Sequence, residues 1–368
     1  MSGPSSLGSK GAGSRGRVGL ACTEDLYRAY IAEVDVSRLE AVSDFYFEAF
    51  SVASGHGEPA PRDLGAEAEL ARFAAELDGL FVWDGAPFVG PAVLESAPHL
   101  SFLGELEGDR FAYRLDVDAA QERGVVVVDT SHGSSWPAAE WALGLALVGL
   151  RNAGASFRRM IAHEDAFLPV AKRRGAGFDG AELSRKRVGL IGFGYLGRRL
   201  VELLRPFEVE ARVFDPFVPR ALAEPYGVEF GPLEKALECE VVFVLVPHTA
   251  STEAMLGPEE IEVLRPGCVF VNVSRGKVVD GQALFARLQR GDIVACLDVF
   301  DPEPLPADSP LVDLPNVFVS PHIAGVTAES RLRFFSLMVD EYLRHFEGLE
   351  PRSELTSNVV RLRTSPAG

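Results

Sequence analysis

The sequence predicts an α/β protein with two doubly wound parallel sheets, the first domain discontinuous and a cleft between the two. Three observations predict it. The chain has 368 residues, more than one ordinary domain of about 150 residues holds. Short apolar runs alternate with amphipathic stretches at the spacing of βαβ units. Those runs also fall into two series, joined by helices that belong to neither series alone.

The first sixteen residues, MSGPSSLGSKGAGSRG, are expected to be a flexible tail outside the fold. They lack the apolar run of a secretion signal. In the first series RVGLA (17–21), GLFVW (79–83), LSFL (100–103) and VVVV (125–128) read as buried parallel strands, because a strand covered on both faces is apolar throughout. Helical spacing lies between them, as from Ala66 to Leu77. The stretch from Pro137 to Arg151, PAAEWALGLALVGLR, is apolar almost all round. It is therefore expected within the core or against another subunit.

The second series is RVGLI (187–191), ARVF (211–214), VVFVLV (241–246), CVFVNV (268–273), IVACLDV (293–299) and VFVS (317–320). A last helix, Thr327 to Phe346, carries Leu332, Phe335, Leu337, Val339 and Tyr342 and is expected to return the chain to the first domain. The expected domains are 17–130 with 326–365, and 131–325.

Acidic residues outnumber basic ones 53 to 36, a net charge of −17. That field repels phosphate backbones and anionic headgroups, so neither nucleic acid nor a membrane is expected as partner. The longest apolar stretch, Trp141 to Leu150, is too short to span a bilayer. Cys22, Cys239, Cys268 and Cys296 lie far apart, without the spacing of a zinc site or a disulfide framework. No metal is expected, and a cytoplasmic location is.

The sharpest motif is VGLIGFGYLGRRL. Gly192, Gly194 and Gly197 form G-x-G-x-x-G between a strand and a helix bearing Leu196, Leu200, Leu203 and Leu204. The first glycine permits a tight turn, the second lets backbone approach a pyrophosphate, and the third lets helix pack on strand. Alone, the three could be a structural turn. Asp215, ending the next strand 23 residues after Gly192, makes the pattern a dinucleotide site. A carboxylate there accepts ribose hydroxyls and repels a 2′-phosphate, so NAD is expected rather than NADP. Both domains are expected to be Rossmann-like.

Three later strand ends carry charged groups where such a sheet places ligands. Arg275 follows 268–273, Asp298 and Glu303 end and follow 293–299, and His322 follows 317–320. Each has a plain structural alternative: a surface arginine before a helix capped by Asp280, a loop acid in a Pro-rich stretch, a turn histidine. Together beside a dinucleotide they suit hydride transfer between carbonyl and alcohol. A guanidinium holds an anionic substrate bidentately and an imidazole exchanges the hydroxyl proton.

From Asp116 to about Phe346 the chain resembles the D-isomer-specific 2-hydroxyacid dehydrogenases. The resemblance lies in LDVDAAQERGVVVVDT, AAEWALGLALVGLRN, VGLIGFGYLG with Asp215, VNVSRGKVVD, LDVFDPEP and SPHIAG. It implies that Arg275 binds the substrate carboxylate and carbonyl oxygen, that His322 is the general acid/base, and that Glu303 pairs with it. It implies that Asp298 holds the nicotinamide side and that Tyr195 and Leu196 belong to the pyrophosphate loop. Pro247, Thr252, Ser274 and Gly325 fall where the family lines its cofactor cleft. A small 2-oxoacid or 2-hydroxyacid as substrate, domain closure over the cleft, and a homodimer through the nucleotide domain follow from the same resemblance.

One segment departs from the pattern. Where the family carries a glycine-rich loop whose N–H groups grip the substrate carboxylate, this chain has GELEGDRFAYRLD (104–116). Arg110 or Arg114 adds a cationic contact for a doubly anionic substrate on one reading; on the other the loop pairs with itself. Two further functions share the scaffold: oxidation of a phosphonate or phosphorus acid, and NAD sensing in the manner of the C-terminal-binding corepressors.

Overall fold

The computed structural model describes residues 15–53, 59–164, 180–222 and 224–364. The tail expected over residues 1–16 lies outside them except for its end. Arg15 hydrogen-bonds the Ser43 carbonyl and Gly16 opens the first strand, so the fold begins earlier than the sequence suggested. The chain divides into two compact units. One runs up to Gly133 and resumes over Arg331–Leu362, and the other is Ser134–Ser330 with Arg363 and Thr364.

The first unit is a five-stranded parallel sheet, β1 (Gly16–Cys22), β2 (Ser43–Ala49), β3 (Gly79–Val82), β4 (Phe102–Glu105) and β5 (Val126–Asp129), in the order β2-β1-β3-β4-β5. Side chains alternate across it with period two. Leu80, Val82, Leu103 and Val127 face the helices 64–74, 91–96 and 117–122. Phe81, Phe102 and Val128 face Phe334, Phe335, Met338 and Tyr342 of the helix Ala328–Phe346. Asp63 starts the helix Leu64–Ala74 by accepting the N–H groups of Gly65 and Ala66, an N-cap that satisfies two of its otherwise orphaned donors.

Strand β2 was not expected. SDFYFEA pairs with β1 along all of its length, yet as an edge strand it is covered on one side only and alternates polar with apolar residues. It therefore lacks the continuous apolar run by which the inner strands announce themselves.

The second unit is a seven-stranded parallel sheet, β6 (Arg187–Ile191), β7 (Glu210–Phe214), β8 (Glu229–Phe230), β9 (Val241–Val244), β10 (Val269–Asn272), β11 (Val294–Leu297) and β12 (Val317–Val319), in the order β12-β11-β10-β9-β6-β7-β8. The expected strands are all present. The addition is β8, two residues at the edge. Leu190, Phe243, Val269, Val271 and Cys296 pack under the helices Ser135–Leu150 and Tyr195–Leu204. Ile191, Val242, Val244, Phe270 and Ala295 point to the other face. The order reverses between β6 and β9, and the carboxyl ends beside such a switch point form a ligand crevice.

Candidate active site

At the carboxyl end of β6 the chain turns through Gly192 at φ +105°, a left-handed conformation in which a Cβ would fall 3.0 Å from the backbone of Leu245 and Val246. A Cβ on Gly197 would fall 2.6 Å from the Gly192 carbonyl oxygen, so only glycine lets the helix Tyr195–Leu204 sit this close to its strand. Gly194 is the N-cap of that helix, and no side chain caps it. The space where its side chain would stand holds nothing within 4 Å. A helix N-terminus opening into such space fits a pyrophosphate. Leu196 packs on the core beneath, and the Arg198 guanidinium lies over the Tyr195 ring, 4.9 Å from its centre.

Asp215 follows β7. Its Oδ2 accepts the Phe193 N–H at 2.7 Å, inside the glycine turn. Its Oδ1 accepts the N–H groups of Phe217 and Val218 at 2.9 and 3.1 Å. The residue thus starts the Asp215–Pro216 turn and also ties that turn to the glycine loop. A carboxylate has about four acceptor positions, so capacity for a ribose hydroxyl remains. After β9, Thr252 donates to the Pro247 carbonyl at 2.6 Å and accepts the Thr249 N–H at 2.8 Å, which folds 247–252 into a fixed turn. Ser274 donates to Asn272 Oδ1 at 2.9 Å. The Gly325 carbonyl accepts from Ser330 at 2.8 Å.

Arg275, Asp298 with Glu303, and His322 follow β10, β11 and β12, which are adjacent in the sheet. Glu303 Oε1 engages His322 Nδ1, and Glu303 Oε2 accepts the Phe300 N–H at 3.3 Å. Gly276 is pressed against the Phe300 carbonyl, which sets Arg275 beside the loop that carries Glu303. The Arg275 guanidinium donates to the Ser274 carbonyl at 2.7 Å. Asp298 is fully buried. Its carboxylate accepts from Ser320 Oγ at 2.5 Å and from the N–H groups of Ile323 and Ala324 at 3.1 and 2.9 Å.

Residues 143–324 match the family model of the D-isomer specific 2-hydroxyacid dehydrogenase NAD binding domain. The chain is also 30% identical over 278 residues to a glyoxylate reductase of Korarchaeum cryptofilum, a match covering 74% of this chain and 80% of that one. The chain belongs to the D-isomer-specific 2-hydroxyacid dehydrogenase family. A D-3-phosphoglycerate dehydrogenase of Methanocaldococcus jannaschii is 32% identical over 301 residues, 81% of this chain and 54% of that one. The chain spans about half the length of the D-3-phosphoglycerate dehydrogenases it matches. Among solved structures, a phosphoglycerate oxidoreductase from Rhizobium etli superposes with a TM-score of 0.75 at 24% identity, over 92% of this chain and 97% of that one.

Residues 143–324, within the second unit, accordingly form the NAD-binding domain of this family, and the glycine turn fits that cofactor. In the first unit the departing segment 104–114 is built around buried charge. Arg114 is 6% exposed; it bonds Asp84 at 2.6 Å and lies 3.9 Å from Glu105. Arg110 donates its backbone N–H to Asp129 at 2.9 Å and its guanidinium to the Glu354 carbonyl at 2.7 Å. Burial first, then the neighbouring Asp129, pushes the Glu105 carboxyl up to about 8.

Sequence reasoning missed three residues that pack on or bond within this cluster. Gly276 stood in plain view in SRGKVVD, but only the fold shows what it touches. Ser320 was read as the end of a strand. Trp141 was read as one more apolar residue of a buried helix, although its indole N–H donates to Ser320 Oγ at 3.1 Å.

Proposed function

We propose that the protein interconverts a 2-oxoacid and a D-2-hydroxyacid with NAD. The observation that carries this reading is the Glu303–His322 pair on neighbouring strand ends, beside the loop bearing Arg275. In the reducing direction Arg275 binds the substrate carboxylate and carbonyl oxygen through its two-pronged guanidinium. With Nδ1 held by Glu303, His322 gives a proton from Nε2 to the carbonyl oxygen as the alcohol forms. Bound NADH supplies the hydride. Asp215 favours NAD over NADP by its charge.

Arg114, buried between two acids, adds no net positive charge for a second anionic group. A substrate with a single carboxylate is therefore the better match. We also propose a homodimer: Trp136, Leu147, Phe157, Met160 and Ile161, on the helices Ser135–Leu150 and Ala153–Ile161, are all exposed in the single chain. The proposed location is the cytoplasm, and among the described residues no helix is long and apolar enough to cross a membrane.

The test is a panel of 2-oxoacids and phosphonates assayed by NADH absorbance. Multiple turnover on a 2-oxoacid, lost in His322→Ala, is the expected result. Reduction of none of the 2-oxoacids, with NADH bound, would return the protein to the class of NAD sensors.

A further inference from the structure

We propose that Trp141 and Ser320 are positioning residues for His322, acting through Asp298. The proposal rests on the dehydrogenase reading above, in which His322 exchanges the substrate proton.

His322 has φ +52°, a left-handed conformation uncommon for a residue with a side chain and one that its surroundings must hold. Asp298 is what does so here. Its carbonyl accepts the His322 N–H at 2.8 Å, and its carboxylate accepts the next two N–H groups, of Ile323 and Ala324. One residue thus clamps the turn on both sides of the imidazole. A fully buried carboxylate is costly unless its lone pairs are filled, so the third donor, Ser320 Oγ, belongs to the same clamp.

A serine hydroxyl has one proton and two acceptor positions. Aimed at Asp298, that proton leaves Ser320 Oγ as acceptor on its other side. The group facing it is the Trp141 indole N–H, which can only donate. Trp141 therefore fixes the sense of the relay, indole to hydroxyl to carboxylate. It can do so because its helix is packed into the core through Ala138, Ala142, Leu145 and Ala146. The chain Trp141–Ser320–Asp298 ties the turn carrying His322 to that helix.

Trp141→Phe keeps the ring and removes the donor. We expect it to lower kcat about fivefold, the scale of one neutral hydrogen bond, with the KM for NADH unchanged. Ser320→Ala should lower kcat about tenfold or more, because Asp298 loses a bond to a charged group. Ser320→Thr, which restores a hydroxyl, should recover most of the rate. The double variant should be no worse than Ser320→Ala, since both act through one hydroxyl. Wild-type kcat in Trp141→Phe, or losses that multiply in the double variant, would overturn the proposal.

A second readout separates this failure from failure of the dehydrogenase reading. The proton between His322 Nδ1 and Glu303 is observable by proton NMR without substrate and assigned by its loss in His322→Ala. Both variants should shift or broaden it even if no 2-oxoacid is turned over. An unchanged resonance in both would sink the positioning role on its own.

Discussion

Gly276 lies against Phe300 so closely that a Cβ on residue 276 would fall 2.0 Å from both the carbonyl carbon and the carbonyl oxygen. Backbone on both sides leaves no flexible side chain to give way. Gly276→Ala must therefore push apart the turn that presents Arg275 and the loop that presents Glu303. An overpacked contact costs about 1–3 kcal/mol. A displacement near 1 Å in a catalytic constellation costs about a hundredfold in rate. The expected outcome is a loss of kcat/KM of about that size with the fold retained, checked by steady-state kinetics beside circular dichroism. Wild-type kinetics would mean that the two loops are independent.

The Glu303–His322 pair makes a graded prediction. General acid–base catalysis contributes roughly 10²- to 10⁴-fold, and His322→Ala should lose most of it. Glu303→Gln keeps the shape but removes the charge that fixes the imidazole, so its kcat should fall less, by about tenfold or more. Single-turnover measurements with NADH bound would show whether the loss is in chemistry. Equal rates for Glu303→Gln and wild type would demote the acid to a loop residue.

Asp215 holds the glycine turn through Phe193 and is the proposed partner of the ribose. Asp215→Ala should raise the KM for NADH by roughly tenfold to a hundredfold, the value of a hydrogen bond to a charged group. It should raise the KM for NADPH less or lower it, because the repulsion of a 2′-phosphate also goes. An unchanged preference between the cofactors would indicate that the carboxylate serves the turn alone.

The parts legible from sequence are those set by local chemistry. Strands β1, β3 to β6 and β9 to β11 announce themselves because burial on both faces makes them largely apolar, while the less buried β7 and β12 are legible from short apolar runs at βαβ spacing. The glycine turn is legible because each of its glycines answers a separate steric demand. His322 and Glu303 are legible as residue types on neighbouring strand ends. What escapes is whatever depends on distant chain. Ser320 and Trp141 are 179 positions apart, and neither residue type at its place signals a hydrogen bond. Gly276 is one glycine among 36 until Phe300 is seen beside it. The charged loop 104–114 was visible as a departure, but its burial was not, since charged residues are seldom buried unless paired. The pairing of Arg114 with Asp84 requires this loop to meet the end of β3, a separate segment 30 positions upstream.

That buried loop gives the last prediction. The Glu105 carboxyl is held up at about 8 by burial first and by Asp129 next, against the lowering effect of Arg114. Its Oε2 has no hydrogen-bond partner among the described residues. It lies 2.1 Å from where a Cβ of Gly108 would stand, and Asp129 Oδ2 lies 2.9 Å from the same point. The folded state therefore holds a proton on Glu105 that the unfolded chain, with an ordinary value of 4.5, has already released near neutrality. Where the folded state binds more protons, stability falls as pH rises. The contribution is full below about pH 4.5 and declines steadily to about pH 8. Glu105→Gln carries no titrating group, so its Tm should change less with pH over that window than the wild type's. The two curves should diverge most at the alkaline end, with the variant the more stable there relative to its own acid value. Thermal unfolding between about pH 5 and pH 8 measures this directly. Parallel curves for the two proteins would mean that Glu105 is already ionised in the folded state, with Arg114 outweighing burial.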